Sequence, residues 1–187
     1  MANAKGTAFL AFQSLVIKKI GAAADEKIKS QLSADDQKLL FGKPILPIGW
    51  VDYGAYTRYM LLADKLFGKG DKQMILDYNS EIARMDTKGI YRIFFLVLTP
   101  KAIFGKAAQL WARYYDSGKL SMESIAGSHC ELRVVDMPDI PVHHEFANFG
   151  YMAEVLRLVG AKNVRTIHPN CMARGDKFCR FDYYWDA

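Results

Sequence analysis

The segment VRTIHPNCMARGDKFCRFDYYW, residues 164–185, decides the fold of the C-terminal part of the chain. Within residues 178–185 the side chains alternate, so that four apolar side chains share one face of an extended strand: Cys179, Phe181, Tyr183 and Trp185. Residues 164–168 form a second strand-like run, and Gly175-Asp176 supplies a turn between the two. The segment therefore predicts a β-hairpin.

A second hairpin is predicted upstream, where residues 120–125 and 131–135 alternate around Gly127-Ser128. Residues 143–159 then have helical spacing, and Gly160 ends that helix. Residues 118–187 thus read as hairpin, helix, hairpin, after a helix-rich part over residues 1–117. The order predicts a single α+β domain, residues 1–187, with a helical N-terminal layer packed on a four-stranded antiparallel sheet made of two hairpins joined by a helix.

Residues 1–117 carry several helix signals. Residues 7–20 have a broad apolar stripe at helical spacing, which favours a homodimer through the N-terminal helix. Ser33 and Asp52 are suited to cap the helices that follow them, the second of which is predicted over residues 51–67. Further helices are predicted over residues 72–85 and 100–114. Residues 90–98, the most apolar stretch, fit a buried helix or a strand, and we favour the helix.

Composition excludes several classes of protein. The net charge of +5 comes from 25 basic and 20 acidic residues that are scattered along the chain, so nucleic-acid binding has no support. The N-terminus lacks the pattern of a signal peptide, and polar residues interrupt its apolar run, so no stable membrane insertion is expected. Three cysteines, two of them at metal-binding spacing, argue against a secreted disulfide framework and favour the cytoplasm.

The C-terminal hairpin also holds a candidate metal site. His168, Cys171 and Cys179 are donors that zinc prefers, and a tight hairpin would bring them together. The residues that could supply a fourth ligand are Glu145, His144, His143 and Cys130. The alternative is that the two cysteines are small buried apolar residues and that His168 is merely hydrogen-bonded.

The tail Cys171-x3-Gly175-Asp176-x2-Cys179-Arg180-Phe181, preceded by a helix that contains Gly150-Tyr151, resembles the end of the 4-vinyl reductase-type domain, a small-molecule-binding module. In bacterial aromatic-sensing transcription activators that carry this module, a structural zinc is held by a helical ligand, a residue before the hairpin and two hairpin cysteines. The resemblance implies that the matching positions are the zinc ligands here: Glu145, His168, Cys171 and Cys179. The relatives have Cys and Glu at the first two positions, so His143 and His144 remain alternative helical ligands to Glu145, with His144 as the first alternative.

The helix-rich part is similar to an uncharacterised myxobacterial family that shares this tail. Both belong to the fold of TRAPP vesicle-tethering components and heme-nitric-oxide-associated domains, which implies dimerisation through N-terminal helices.

These observations predict a non-enzymatic sensor or adaptor domain that binds a small apolar, aromatic or lipid-like molecule and holds a structural zinc. Candidate pocket residues are the aromatic side chains Phe94, Phe95, Phe104, Trp111, Tyr114, Phe149 and Tyr151. The sequence lacks nucleophile motifs, phosphate-binding loops and Cys-x-x-Cys pairs. The alternatives are a dimeric scaffold without a ligand and a tetrapyrrole-related enzyme.

Overall fold

The computed structural model describes residues 2–87, 98–137 and 144–186. Its helices are α1 (Gly6–Ile20), α2 (Ala22–Gln31), α3 (Ala34–Phe41), α4 (Tyr53–Phe67), α5 (Gln73–Asp86), α6 (Pro100–Phe104), α7 (Ala107–Tyr114) and α8 (His144–Leu158). Its strands are β1 (Asn3–Lys5), β2 (Trp50–Asp52), β3 (Lys119–Ala126), β4 (His129–Val135), β5 (Lys162–Ile167) and β6 (Cys179–Asp186). None of these helices combines the length and the apolar character that a membrane crossing requires.

The main sheet is antiparallel, with the strand order β3-β4-β6-β5. Leu132 pairs with Phe181 and Cys130 with Tyr183, so the apolar faces of the two central strands coincide. The buried face of β6 holds Cys179, Phe181, Tyr183 and Trp185, as its alternation predicts. The helical N-terminal part packs on this sheet, and the predicted α+β fold class is confirmed.

The helical layer is held together by aromatic side chains. Phe9 of α1 makes edge contacts with Tyr56 and Tyr59 of α4, at ring-centroid distances of 5.6 and 5.3 Å. Phe12 is fully buried beside the same two tyrosines. Most of the apolar stripe of α1 is thus used inside the chain, and its exposed apolar side chains are Ile17 and Ile20, at 41% and 37% exposure. The homodimer stays a prediction.

Local capping chemistry explains where two helices begin. The Ser33 hydroxyl accepts a hydrogen bond from the Asp36 amide at 3.1 Å, at the start of α3. The Asp52 carboxylate accepts one from the Ala55 amide at 2.7 Å, at the start of α4. Both predicted caps are confirmed.

Elsewhere the elements differ from the sequence interpretation. Residues 50–52 form strand β2 before α4 begins, because they pair with Asn3–Lys5 at the start of the chain. Helix α2 was not predicted, and the helix predicted over residues 100–114 is interrupted at Gly105-Lys106. Most of the predicted element at residues 90–98 lies outside the described residues.

The outer face of the sheet carries a charged cluster around Asp182, which is 2% exposed. Its carboxylate accepts a hydrogen bond from Arg180 Nε at 2.8 Å and lies 2.7 Å from His129 Nε2. Burial by itself would raise the pKa of Asp182, but the hydrogen bonds with Arg180 and His129 lower this pKa below its ordinary value. The folded state therefore favours the ionised carboxylate.

We expect the substitution Asp182→Asn to cost about 2 kcal/mol of unfolding free energy at neutral pH, since it weakens charge-assisted hydrogen bonds in a buried position. Because folding lowers the pKa of Asp182, its stabilising contribution is complete above the unfolded-state pKa of about 3.9 and is lost as pH falls through the folded-state pKa. Urea unfolding at neutral pH and at about pH 3 should show the difference between variant and parent shrinking in acid.

Asp186→Asn is a suitable control, because Asp186 is an exposed residue at the end of the same strand, where it accepts a hydrogen bond from Asn163. It should change stability by less than about 0.5 kcal/mol at either pH. If Asp182→Asn lowers the unfolding free energy by the same amount at both pH values, the Asp182 charge does not stabilise the folded state in the way described.

Candidate functional site

A cavity of about 260 Å³ lies between the helical layer and the main sheet. Its described walls come from α1, α4, α5, α6, α7 and α8 and from three strands of the sheet. Small side chains leave the space open, since four alanines lie where these helices face one another: Ala8, Ala11, Ala107 and Ala147. The cavity is therefore built by elements from both ends of the chain.

The walls are mainly apolar because several of their polar atoms are hydrogen-bonded within the protein. The Tyr56 hydroxyl donates to the Ala8 carbonyl at 3.0 Å. The Trp111 ring nitrogen donates to the Ser117 carbonyl at 3.1 Å. The rings of both residues line the cavity, so they present mostly carbon to its interior. An apolar molecule could bind there without leaving these groups unpaired.

Asp86 is the one charged side chain among the described residues that line the cavity. It ends helix α5 and is solvent-exposed, which places it at the mouth. The Tyr151 hydroxyl donates a hydrogen bond to its Oδ2 atom at 3.1 Å. Loss of hydration raises the pKa of Asp86, and the hydrogen bond from Tyr151 acts in the opposite direction. The mouth thus has a hydrogen-bond acceptor with negative charge.

The predicted pocket residues are distributed between the cavity and its surroundings. Trp111, Tyr114 and Tyr151 line it. Phe149 makes edge contacts with Phe181 and Tyr183, both of which are lining residues. Phe104 contacts Tyr183 and Trp185, and Phe94 and Phe95 lie outside the described residues. Asp86 and the four alanines were not predicted as cavity residues, since no sequence signal distinguishes them from ordinary helix residues.

The structure also brings together three of the predicted metal ligands. His168, Cys171 and Cys179 each place a possible ligand atom within 4.8 Å of the others. The two sulfur atoms are 4.0 Å apart, and both cysteines are fully buried. Glu145 contacts His168 Nδ1, which places the predicted helical ligand next to this cluster.

Neighbouring groups of the protein already interact with the possible ligand atoms of this cluster. Cys179 Sγ accepts a hydrogen bond from the Met172 amide at 3.3 Å. Burial raises the pKa of the Cys179 thiol to about 12, so the thiol is protonated at neutral pH. Burial also lowers the pKa of His168, although Glu145 acts in the opposite direction.

The other candidate ligands lie elsewhere. Cys130 is buried in strand β4, where burial raises its pKa to about 12. His143 and the side chain of His144 lie outside the described residues. The role of Glu145, His168, Cys171 and Cys179 as a functional site stays a prediction.

The fold is that of H-NOX domains. The Fe(II) unliganded H-NOX protein from K. algicida matches with a TM-score of 0.73 at 12% identity, covering 98% of this chain and 97% of that one. The H-NOX protein from S. oneidensis in the Fe(II)NO ligation state matches with a TM-score of 0.70 at 10% identity, covering 98% and 99%. A mutant T. tengcongensis H-NOX matches with a TM-score of 0.68 at 12% identity, covering 98% of each chain. No protein-family model and no curated protein matches the sequence.

These matches correct the relationship inferred from the tail. The predicted relationship to the 4-vinyl reductase-type domain and the TRAPP-component fold is wrong, because H-NOX structures match 98% of the chain. The inference depended on a cysteine-containing hairpin and a Gly-Tyr pair. Such a hairpin is a local feature that different folds can carry, whereas the match to H-NOX structures includes the order and packing of the helices.

Zinc as the cofactor is also a wrong prediction. The K. algicida and S. oneidensis structures are described as Fe(II) proteins, and a further match, with a TM-score of 0.67, comes from work on heme distortion in the H-NOX family. Ligand spacing in a hairpin was therefore insufficient to assign a metal.

The described residues of the cavity do not fit heme. Heme iron is held by His, Cys, Met or Tyr, and residues 1–128 contain no histidine. The described lining residues include two thioethers, Met60 and Met152, but no His, Cys, Lys or Arg, so they offer no imidazole or thiolate ligand and no cation for the propionates. Tyrosines line the cavity, but burial raises the pKa of Tyr56, Tyr151 and Tyr183, which disfavours the phenolate that iron binds.

The two described histidine rings, those of His129 and His168, contact other groups. His129 stacks on Tyr184 with ring centroids 4.4 Å apart and lies beside Asp182. His168 stacks on Phe181 at the same centroid distance, and its ring is beside Glu145. Neither ring is among the described lining residues.

Proposed function

We propose that this chain is a non-enzymatic sensor domain that binds a small apolar molecule, aromatic or lipid-like, in the cavity between its helices and its sheet. The observation that carries the proposal is the apolar cavity of about 260 Å³ with walls from both layers. The fold agrees with it, because the S. oneidensis H-NOX protein is described in a state with NO bound to Fe(II). Likeness at 10–12% identity concerns the fold, so the ligand class is inferred from this chain's own residues.

Ligand binding at this position can be transmitted because the walls connect distant parts of the chain. Ala8 and Ala11 belong to α1, Ala107 to α7, and Tyr183 to the central strand β6. A molecule that contacts all of these elements would stabilise one arrangement of the helices relative to the sheet. The change would reach a partner through an outer face of the helical layer, or a second copy of the chain through the exposed end of α1.

Filling the cavity tests the proposal. Ala107 is 6% exposed and lines the cavity, so the larger side chain in Ala107→Leu would occupy ligand space. We expect calorimetry to show that the parent protein binds toluene and that Ala107→Leu binds it at least tenfold more weakly. The unfolding free energy should change by less than about 1.5 kcal/mol, because the added atoms enter open volume.

Ala112→Leu is the matched control, since Ala112 lies on the same helix, is exposed and is not among the described lining residues. This variant should bind toluene like the parent. Absence of toluene binding by the parent, or equal affinity in Ala107→Leu, would contradict the proposal.

A further inference from the structure

The cavity is small. An engineered protein cavity of about 150 Å³ is large enough to bind benzene, so a volume of about 260 Å³ accommodates roughly ten non-hydrogen atoms. Heme is a tetrapyrrole macrocycle many times the size of benzene. The volume therefore favours a compact ligand.

The charge at the mouth favours a particular kind of head group. Asp86 is the one charged side chain among the described lining residues, and the Tyr151 hydroxyl already donates one hydrogen bond to it. A carboxylate has about four acceptor positions, so a ligand hydroxyl can donate a further hydrogen bond. A ligand carboxylate at the same place would face like-charge repulsion, and the described walls provide no cation to offset it.

Tyr114 extends this polar rim. It lines the cavity on α7, and its pKa is raised by loss of hydration and by the negative charge of Asp86. The Tyr151 hydroxyl thus contacts Asp86, Tyr114 lies near enough for the Asp86 charge to raise its pKa, and apolar side chains line the rest of the cavity, including Ile103, Leu132 and Val155. Such a site suits a molecule with an apolar body and one polar end.

We infer, building on the proposed function, that the cavity binds a compact uncharged alcohol, aliphatic or phenolic, whose hydroxyl group donates a hydrogen bond to Asp86, and that it does not bind heme. The hydrocarbon part would lie among the apolar walls, and the hydroxyl group would stay at the mouth. The ligand class is thus set by one acidic residue and by the cavity volume.

The test compares two unbranched molecules that have the same number of carbon atoms and different head groups. Calorimetric titrations with 1-octanol and with octanoate should show at least about tenfold tighter binding of the alcohol. In Asp86→Asn the charge is removed while an acceptor oxygen remains. The preference for 1-octanol over octanoate should therefore fall below about threefold in affinity. When heme is titrated into the purified protein, its absorbance spectrum should show no saturable change.

Asp77→Asn provides the matched control, because Asp77 is an exposed residue of the same helix, hydrogen-bonded to Gln73 and absent from the described cavity walls. It should keep the full preference for the alcohol. Octanoate or heme binding as tightly as 1-octanol, with toluene still bound, would overturn this inference and leave the proposed function intact. If toluene binds and 1-octanol does not, this inference alone is wrong; if toluene does not bind, the proposed function is wrong as well.

Discussion

Gly150→Ala is expected to destabilise the protein by about 3 kcal/mol or more, because an added methyl group has no space at this position. Gly150 lies in α8, where that helix packs against α5. A Cβ atom at Gly150 would lie 2.2 Å from the backbone oxygen of Leu76 and 3.0 Å from its carbonyl carbon. The obstacle is backbone, so the two helices would have to separate.

That separation would also affect a hydrogen bond, since the Ser80 hydroxyl donates to the Gly150 carbonyl at 2.9 Å. Urea unfolding followed by circular dichroism would measure the loss of stability. The control is Gly105→Ala, because Gly105 has helical backbone angles and its nearest atom would be 3.3 Å from an added Cβ. It should differ from the parent by less than about 1 kcal/mol. A Gly150→Ala variant as stable as the Gly105→Ala variant would contradict the close helix contact.

Phe181→Ala is expected to cost about 3–5 kcal/mol, the usual range for removal of a buried phenylalanine ring. Phe181 is 2% exposed at the centre of the sheet and forms part of the cavity wall. Its ring stacks on His168 with centroids 4.4 Å apart and receives an edge contact from Phe149 at 5.8 Å. Alanine would remove these contacts and leave a void beside the cavity.

Chemical unfolding would measure the loss of stability in Phe181→Ala and in a matched control, Tyr184→Ala. Tyr184 lies on the same strand but is only partly buried, and it stacks on His129. Its removal should cost about 1 kcal/mol, since only a partly exposed aromatic contact is lost. Equal losses in the two variants would mean that Phe181 does not occupy the core position described.

Elements that depend on near neighbours in the chain were predicted from the sequence, whereas a strand whose partner is distant in the chain was not. Alternation in residues 178–185 predicted both the strand and its buried face, because side-chain direction has a period of two along a strand. Ser33 and Asp52 predicted helix starts because a cap bonds amides only three residues away. Strand β2 was missed because its partner lies in residues 3–5, far away in the chain.

The function predicted from the sequence was limited in the same way, because a short motif does not report on long-range packing. Residues His168, Cys171 and Cys179 were correctly expected to lie near one another, since a hairpin joins them. Their spacing does not specify the chemical state of Cys179, which depends on burial by the rest of the fold. Zinc and the 4-vinyl reductase relationship were inferred from that spacing, and both were wrong. The short motif carried too little information about the packing of the helices.

The amino-acid sequence by itself determined the α+β class, the two hairpins and several helix starts, because these depend on side-chain periodicity and on bonds between near neighbours. Only the tertiary structure decided where the cavity lies and that Asp86 stands at its mouth. Those features arise where α1, α5, α7 and α8 meet the sheet. A space between elements depends on how they pack against one another, and no single segment of the sequence specifies that packing.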